Sequence, residues 1–226
     1  MIDIGAYAEE SVRFTVAAIR THPLRIPVLM AMVIIFPLIM GYAARIYRGG
    51  SDAPDFSHPR SLLMDGIRLI LVSFIYTIPI FAAIMIIIWQ SEPLLTLISH
   101  AERGLIFSEV GAVFFLILGV VLLYAIIILL SMIGVIRTAR SGRIRDGFAL
   151  GEILSHIDRI GGTGYVSAVI FYTVISLLAS VPAGYLMELS LIGYIPAFFI
   201  YMVVTLFAAR YFTLVFEAGI PRQKPV

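Results

Sequence analysis

Apolar residues run through this chain in five long blocks, and the short stretches between them hold nearly all of its charge. The blocks are Ile26–Ala44, Leu69–Trp89, Val110–Ile136, Tyr165–Tyr185 and Leu191–Ala209. Each is close to the roughly 20 residues that a helix needs to cross a bilayer. None of the five contains Asp, Glu, Lys, Arg or His. The pattern predicts an all-α integral membrane protein, a bundle of about five transmembrane helices. Prolines at 27, 37, 79, 182 and 196 fall in or at the ends of these blocks, with kinks expected at Pro37 and Pro79.

Residues 4–20 have a different rhythm. Ile4, Tyr7, Ala8, Ser11, Phe14, Ala18 and Ile19 fall near one helical face, and Glu9 and Arg13 pair at i, i+4 on another. Such a helix carries too much charge to span, and it is expected to lie in the membrane interface. The domain plan is therefore an N-terminal interfacial helix over 1–21, one transmembrane domain over 22–216 and a short tail over 217–226.

Loops between the apolar blocks sort by charge. Residues 45–68 hold Arg45, Arg48, Arg60 and Arg68; residues 137–160 hold Arg137, Arg140, Arg143, Arg145 and Arg159; the C-terminal stretch adds Arg210, Arg222 and Lys224. That gives twelve basic residues on one side against Arg103 alone in 90–109. The positive-inside rule then puts the first and third loops and the C-terminus in the cytoplasm of a cell-membrane protein. A single span over Ile26–Ala44 would leave the N-terminal helix outside. The alternative is a bent or re-entrant element over 22–44 with the N-terminus inside.

Each basic loop also predicts a short amphipathic helix on the cytoplasmic face. In the third loop Leu150, Ile153, Leu154 and Ile157 follow the i, i+3, i+4, i+7 spacing. In the first, Pro59 suits the first helical position, with Leu62, Leu63 and Ile67 facing inward. A shift of 92 residues superposes the two loops: Arg45 meets Arg137, Arg48 meets Arg140, Gly50 meets Gly142 and Phe56 meets Phe148. This is the expectation of a parallel internal repeat.

Composition sharpens the membrane assignment. Of 226 residues, 61% are hydrophobic and only 13% charged, with a mean hydropathy of +1.03. A soluble domain carries about 25% charged residues. Of the sixteen basic residues Lys224 is the one lysine, so the basic side is an arginine surface, suited to bidentate bonds with lipid phosphate. The absence of cysteine removes disulfides, thiolate metal sites and a cysteine nucleophile.

Candidate contacts for an anionic lipid headgroup or an acidic protein partner are Arg45, Arg48, Arg137, Arg140, Arg143 and Arg145. Ser176, Ser180 and Gly184 recur every four residues and form a candidate seam for close helix packing. No phosphate-loop, zinc-protease or nucleophile-elbow motif occurs. Glu152 and His156 lie at i, i+4 without an evident third ligand. No catalytic, cofactor or metal residue is assigned, and no nucleic-acid partner is expected.

The runs Gly41-Tyr42-Ala43-Ala44-Arg45, Pro54-Asp55-Phe56 and Leu62-Leu63-Met64-Asp65-Gly66-Ile67-Arg68 resemble a prokaryotic, mainly archaeal family of polytopic membrane proteins, the domain of unknown function four-zero-one-three. The third loop, with Arg137, Arg140, Phe148 and Leu154, fits the same pattern over roughly residues 25–215. The resemblance implies a polytopic membrane fold and carries no activity. Two functions follow as expectations. One is a non-enzymatic membrane scaffold or accessory protein with a basic cytoplasmic face that binds lipid or a partner. The other is a transporter or permease-like protein for a small or amphiphilic solute. The charge-free apolar blocks argue against proton coupling.

Overall fold

The computed structural model describes residues 2–20, 25–100 and 106–221; over 90–100 and 106–113 the description is of the backbone. Arg103, Arg222 and Lys224, used above, lie outside the described residues. Every regular element among the described residues is helical. In chain order these are α1 (Ile4–Arg20), α2 (Arg25–Ile34), α3 (Phe36–Tyr47), α4 (Pro59–His100), α5 (Ile106–Ser141), α6 (Leu150–Ile160), α7 (Gly162–Leu189) and α8 (Tyr194–Ala218). Short 3-10 turns at Ile144–Phe148 and Leu191–Gly193 precede α6 and α8.

Among the described residues, four segments are long and apolar enough to cross a membrane: Pro59–Trp89, Phe114–Ser141, Gly162–Leu189 and Leu191–Ala218. A fifth arises if α1 and α2, bent by 110°, form one broken span. The protein is thus a helical membrane protein with four to five candidate spans.

The first apolar block is not one helix. Ile35 leaves helical geometry at φ −92°, ψ 74°, just before Pro37 near the start of α3. The 10 residues of α2 and 12 of α3 reach about 15 and 18 Å, each short of a hydrocarbon core of about 30 Å. Both ends of this broken block meet one ring. The Arg25 guanidinium lies 5.4 Å over Phe56, and the Phe56 ring is 5.5 Å from that of Tyr42. The expected single span over Ile26–Ala44 is replaced by a bent element.

The loop boundaries differ as well. α4 begins at Pro59, so the surface helix expected in the first loop is the first part of the second apolar helix. Leu62 is buried there, but Leu63 and Ile67, expected inward, are exposed. At the other end α4 runs to His100 and α5 starts at Ile106, so most of the expected loop 90–109 is helix. At 42 and 36 residues these helices extend about 63 and 54 Å, well beyond the hydrocarbon core. Hydropathy marks depth in the membrane, and it does not mark where a helix ends.

α1 spans the predicted residues and turns Ser11, Phe14 and Ala18 of the predicted face onto α8. α6 occupies the third loop as predicted, but its buried side is rotated. Ile153, His156 and Ile160 are buried, while Leu150 and Leu154, expected inward, are about half exposed. Gly161, at φ 95°, separates α6 from α7, a conformation that suits glycine.

α8 is the hub. A third of its apolar window (33%) is buried, against 11% for α4 and 6% for α5, whose apolar faces are left for lipid. One core gathers Phe14, Leu29, Ile39, Tyr42, Leu62 and Leu206; another gathers Ile133, Ile153, Tyr165, Tyr211 and Val215. Both cores adjoin the end of the bundle where the arginines sit.

Candidate functional site

The last four carbonyls of a helix have no partner within it, and cations are favoured at that end. α3 and α5 meet this requirement by exchange. Arg48, just past α3, donates Nε–H to the carbonyl of Ala139 in the last turn of α5 at 2.9 Å. Arg140 of α5 donates Nε–H to the carbonyl of Tyr47, the last residue of α3, at 2.8 Å. Each arginine caps the other's helix.

The remaining edge of each guanidinium carries a carboxylate. Arg48 Nη2 lies 2.6 Å from Asp65 Oδ2, and Asp65 also takes Arg68 at 3.2 Å, the i, i+3 pair visible in the sequence. Arg140 Nη2 lies 2.7 Å from Glu217 Oε1 at the end of α8, with its guanidinium 4.7 Å over the Phe216 ring. The cap therefore joins α3, α4, α5 and α8.

The first arginine of each R-x-x-R pair holds its own loop. Arg45 donates to the carbonyls of Asp55 and Ser57 at 2.5 and 2.6 Å and to Ser61 Oγ at 3.0 Å. Arg137 donates to the carbonyl of Asp146 at 3.2 Å and pairs with Glu152. Arg210 of α8, only 8% exposed, donates to the carbonyl of Gly50 at 2.6 Å, pairs with Glu10 of α1 and stacks over Phe14. Among the described residues, two buried side-chain polar atoms have no hydrogen-bond partner, Arg210 Nε and the Tyr42 hydroxyl.

Of the six arginines named as headgroup candidates, Arg45, Arg48, Arg137 and Arg140 thus direct donors into the protein. Arg143 immediately precedes the 3-10 turn and Arg145 lies within it; both are exposed, with no side-chain partner among the described residues. A pocket of about 310 Å³ opens beside them, lined by Arg137, Arg140, Ser141, Asp146 and Phe216. Glu152 and His156 diverge. Glu152 pairs with Arg137, whereas His156 is buried, with its ring 4.0 Å from that of Phe216. Among the described residues no cluster of three metal-ligating side chains forms.

The Ser176–Ser180–Gly184 row is half-buried on α7, and a Cβ at Gly184 would meet nothing within 4 Å. Close approach of α7 to the α8 side falls elsewhere, at Ala183, Ala197 and Gly193, where a Cβ would lie 1.8 Å from the Leu186 carbonyl oxygen. The tightest crossing joins α3 and α4. A Cβ on Gly41 would sit 1.9 Å from the Leu62 oxygen, and one on Gly66 would sit 1.7 Å from the Pro37 oxygen. Only glycine fits at either position.

These contacts explain the motif residues. Gly41 and Gly66 set the crossing, Tyr42 packs on Phe56, Arg45 holds the loop, and Asp65 receives Arg48 and Arg68. The family model described as Protein of unknown function (DUF4013) matches residues 26–188. The chain belongs to that family. The DUF4013 match takes in the broken helix, both arginine loops and α4 to α7; α1 and α8, which supply Glu10, Arg210 and Glu217, lie outside it. No curated protein and no solved structure matches the chain.

Acidic partners of the arginines were the part that sequence reasoning missed. Asp65 was visible as a local pair. Glu10 and Glu152 lie on the amphipathic helices α1 and α6 and Glu217 at the end of α8, and no local pattern ties any of them to an arginine partner.

Proposed function

We propose that this DUF4013 member is a non-enzymatic scaffold or accessory protein of the cell membrane. Its arginine-rich end and its C-terminus face the cytoplasm, and that face holds anionic lipid headgroups. The observation that carries the proposal is the division of labour among the arginines. Arg48 and Arg140 cap the helix ends, Arg45 and Arg137 hold their own loops, and Arg143 and Arg145 are left exposed beside them. A juxtamembrane cation contributes about 1 kcal/mol near an anionic surface, so the pair supplies about 2 kcal/mol, roughly thirtyfold in occupancy.

The test replaces Arg143 and Arg145 together, first by Gln and then by Lys. Substituting Arg137 or Arg140 would confound it by freeing the third loop or opening the cap. The Gln variant should insert normally and lose most of its co-purifying anionic lipid. The Lys variant keeps charge without the guanidinium fork and should fall between. Equal lipid content in all three proteins, by mass spectrometry of the extracted lipid, refutes the proposal. An acidic protein captured in place of lipid would give the face to a partner instead. Orientation is checked in the same cysteine-free chain: Ser141→Cys should be shielded from an impermeant thiol reagent in intact cells, and Ser190→Cys should react.

The permease alternative calls for polar groups along a path through the apolar helices. A cavity of about 510 Å³ between α1, α7 and α8 is lined by apolar side chains and one threonine, which supports the scaffold reading.

A further inference from the structure

That cavity has features of its own. It is a groove formed by Val12, Val16 and Ile19 of α1, Ala179 of α7, and Val203 and Phe207 of α8. Its α7 and α8 walls lie inside the candidate spans Gly162–Leu189 and Leu191–Ala218, which places it at hydrocarbon depth. Val12 and Val16 are exposed on its rim at 51% and 38%, so the groove is continuous with the lipid-facing surface.

The lining offers nothing to water. Its one polar side chain, Thr15, donates its hydroxyl to the Ser11 carbonyl at 2.8 Å within α1. A water needs two to four polar partners, and an empty apolar groove forfeits dispersion contacts along its walls. The occupant is therefore hydrocarbon.

Size and charge choose between a lipid chain and a helix from another protein. One turn of a helix 10 Å across occupies about 420 Å³. The groove would hold little more than a single turn. A partner helix would also have to lie against Glu9 and Arg13, an exposed ion pair at 2.5 Å one turn from Val12 and Val16, and would desolvate it. A single acyl chain avoids both costs.

We propose that the groove between α1, α7 and α8 is a lipid site that seats one acyl chain of a membrane phospholipid. It is a separate site from the basic face argued above, and its test does not involve Arg143 or Arg145. The full-length protein is reconstituted in phosphatidylcholine vesicles doped with a phospholipid bearing a diazirine on one acyl chain. After irradiation the labelled positions are mapped by peptide mass spectrometry. Label should concentrate on residues 12–19 and 199–207, about fivefold above the lipid-facing stretch 114–122 of α5, which meets lipid only as solvent. Ala179→Phe fills the groove and should remove that excess while leaving the α5 label unchanged. Val16→Phe, on the exposed rim of α1, makes the same test should the half-buried Ala179→Phe variant misfold. Equal labelling of groove and α5 overturns the proposal, as does an excess that survives both substitutions. Efficient disulfide dimerisation of a Val16→Cys variant in membranes also overturns it, by giving the groove to a second copy of the chain.

Discussion

Arg48 and Arg140 each cap the helix that carries the other. Their Nε–H groups donate to the carbonyls of Ala139 and Tyr47, so each guanidinium reaches the residue that precedes its counterpart. A lysine at either position keeps the charge for Asp65 or Glu217 but has no second edge for the carbonyl. Arg48→Lys and Arg140→Lys should each lower stability in detergent by about 1.5–3 kcal/mol, the range of a hydrogen bond to a charged group. The double variant should lose less than the sum, because one cap closes both helix ends. Chemical unfolding followed by circular dichroism decides it. Single Lys variants that unfold like the parent would show that the exchange of caps holds nothing together.

The α3–α4 crossing is a matter of sterics. A methyl at Gly66 would overlap the Pro37 oxygen and one at Gly41 the Leu62 oxygen, and both obstacles are backbone. Gly66→Ala and Gly41→Ala should each cost more than about 3 kcal/mol, beyond ordinary overpacking, and give little monodisperse protein. Gly151→Ala, on the exposed side of α6 with nothing within 4 Å of its Cβ, should instead be neutral or stabilise by up to about 1 kcal/mol through helix propensity. Size-exclusion profiles of the three variants separate these outcomes. A well-behaved Gly66→Ala protein would mean that the two helices cross farther apart.

Asp65 is the acid that both Arg48 and Arg68 share, and it is 7% exposed while its partners are about 40% exposed. Removing it leaves two cations without their carboxylate, but their exposure lets water take up part of the loss. Asp65→Ala should destabilise by roughly 2 kcal/mol, below the 3–5 kcal/mol of a fully buried pair. Asp65→Asn keeps the shape and one acceptor oxygen but turns its NH2 toward the other arginine, so it should recover only part of that loss. If added salt restores the Ala variant to parental stability, the interaction is surface electrostatics and not a cap contact.

What the sequence made legible follows from the range of each interaction. α1 was readable to the residue because charged and apolar positions alternate within one turn of helix. The apolar blocks were readable because lipid demands them, but their helix ends were not. α4 begins ten residues before its apolar block, since Pro59 starts the helix whether or not the membrane has been reached. The arginine loops stood out as charge, yet the bond from Arg48 to Ala139 crosses 91 residues of chain, and no local pattern encodes it. The rotated face of α6 has the same origin. Leu150 and Leu154 look like the inward stripe by hydrophobicity alone, but His156, two residues past Leu154 and so on the other side of the helix, has a carbonyl and an aromatic ring waiting on α8, and that fixes the side that turns in.

That histidine also makes the protein's stability depend on pH. His156 Nε2 lies 2.9 Å from the Phe216 carbonyl, which can only accept, so Nε2 carries the proton and donates. Nδ1 is then the acceptor for Arg159 Nη2 at 3.3 Å. The site holds neutral imidazole. Burial lowers the pKa of His156 from its usual value, more than the bond to Phe216 raises it, and the charges of Arg159, Arg137 and Arg140 lower it further. Because the folded value lies below the unfolded one near 6.5, the unfolded chain takes up the proton first as pH falls. The stabilisation is therefore complete above about pH 6.5 and is lost as pH falls through the lower folded value. Protonation would also cost the Arg159 bond and place a fourth cation beside the three arginines, loosening α6 from the end of α8. The melting temperature of the parent should fall between pH 7.5 and pH 5. His156→Phe keeps the stacked ring and has nothing to protonate, so its melting temperature should be nearly flat over that range. Amide exchange at Ile153–Ile160 should quicken at low pH in the parent and stay constant in the Phe variant. A parent whose melting temperature and α6 exchange pattern are both unchanged at pH 5 would mean that His156 is a packing residue and no more.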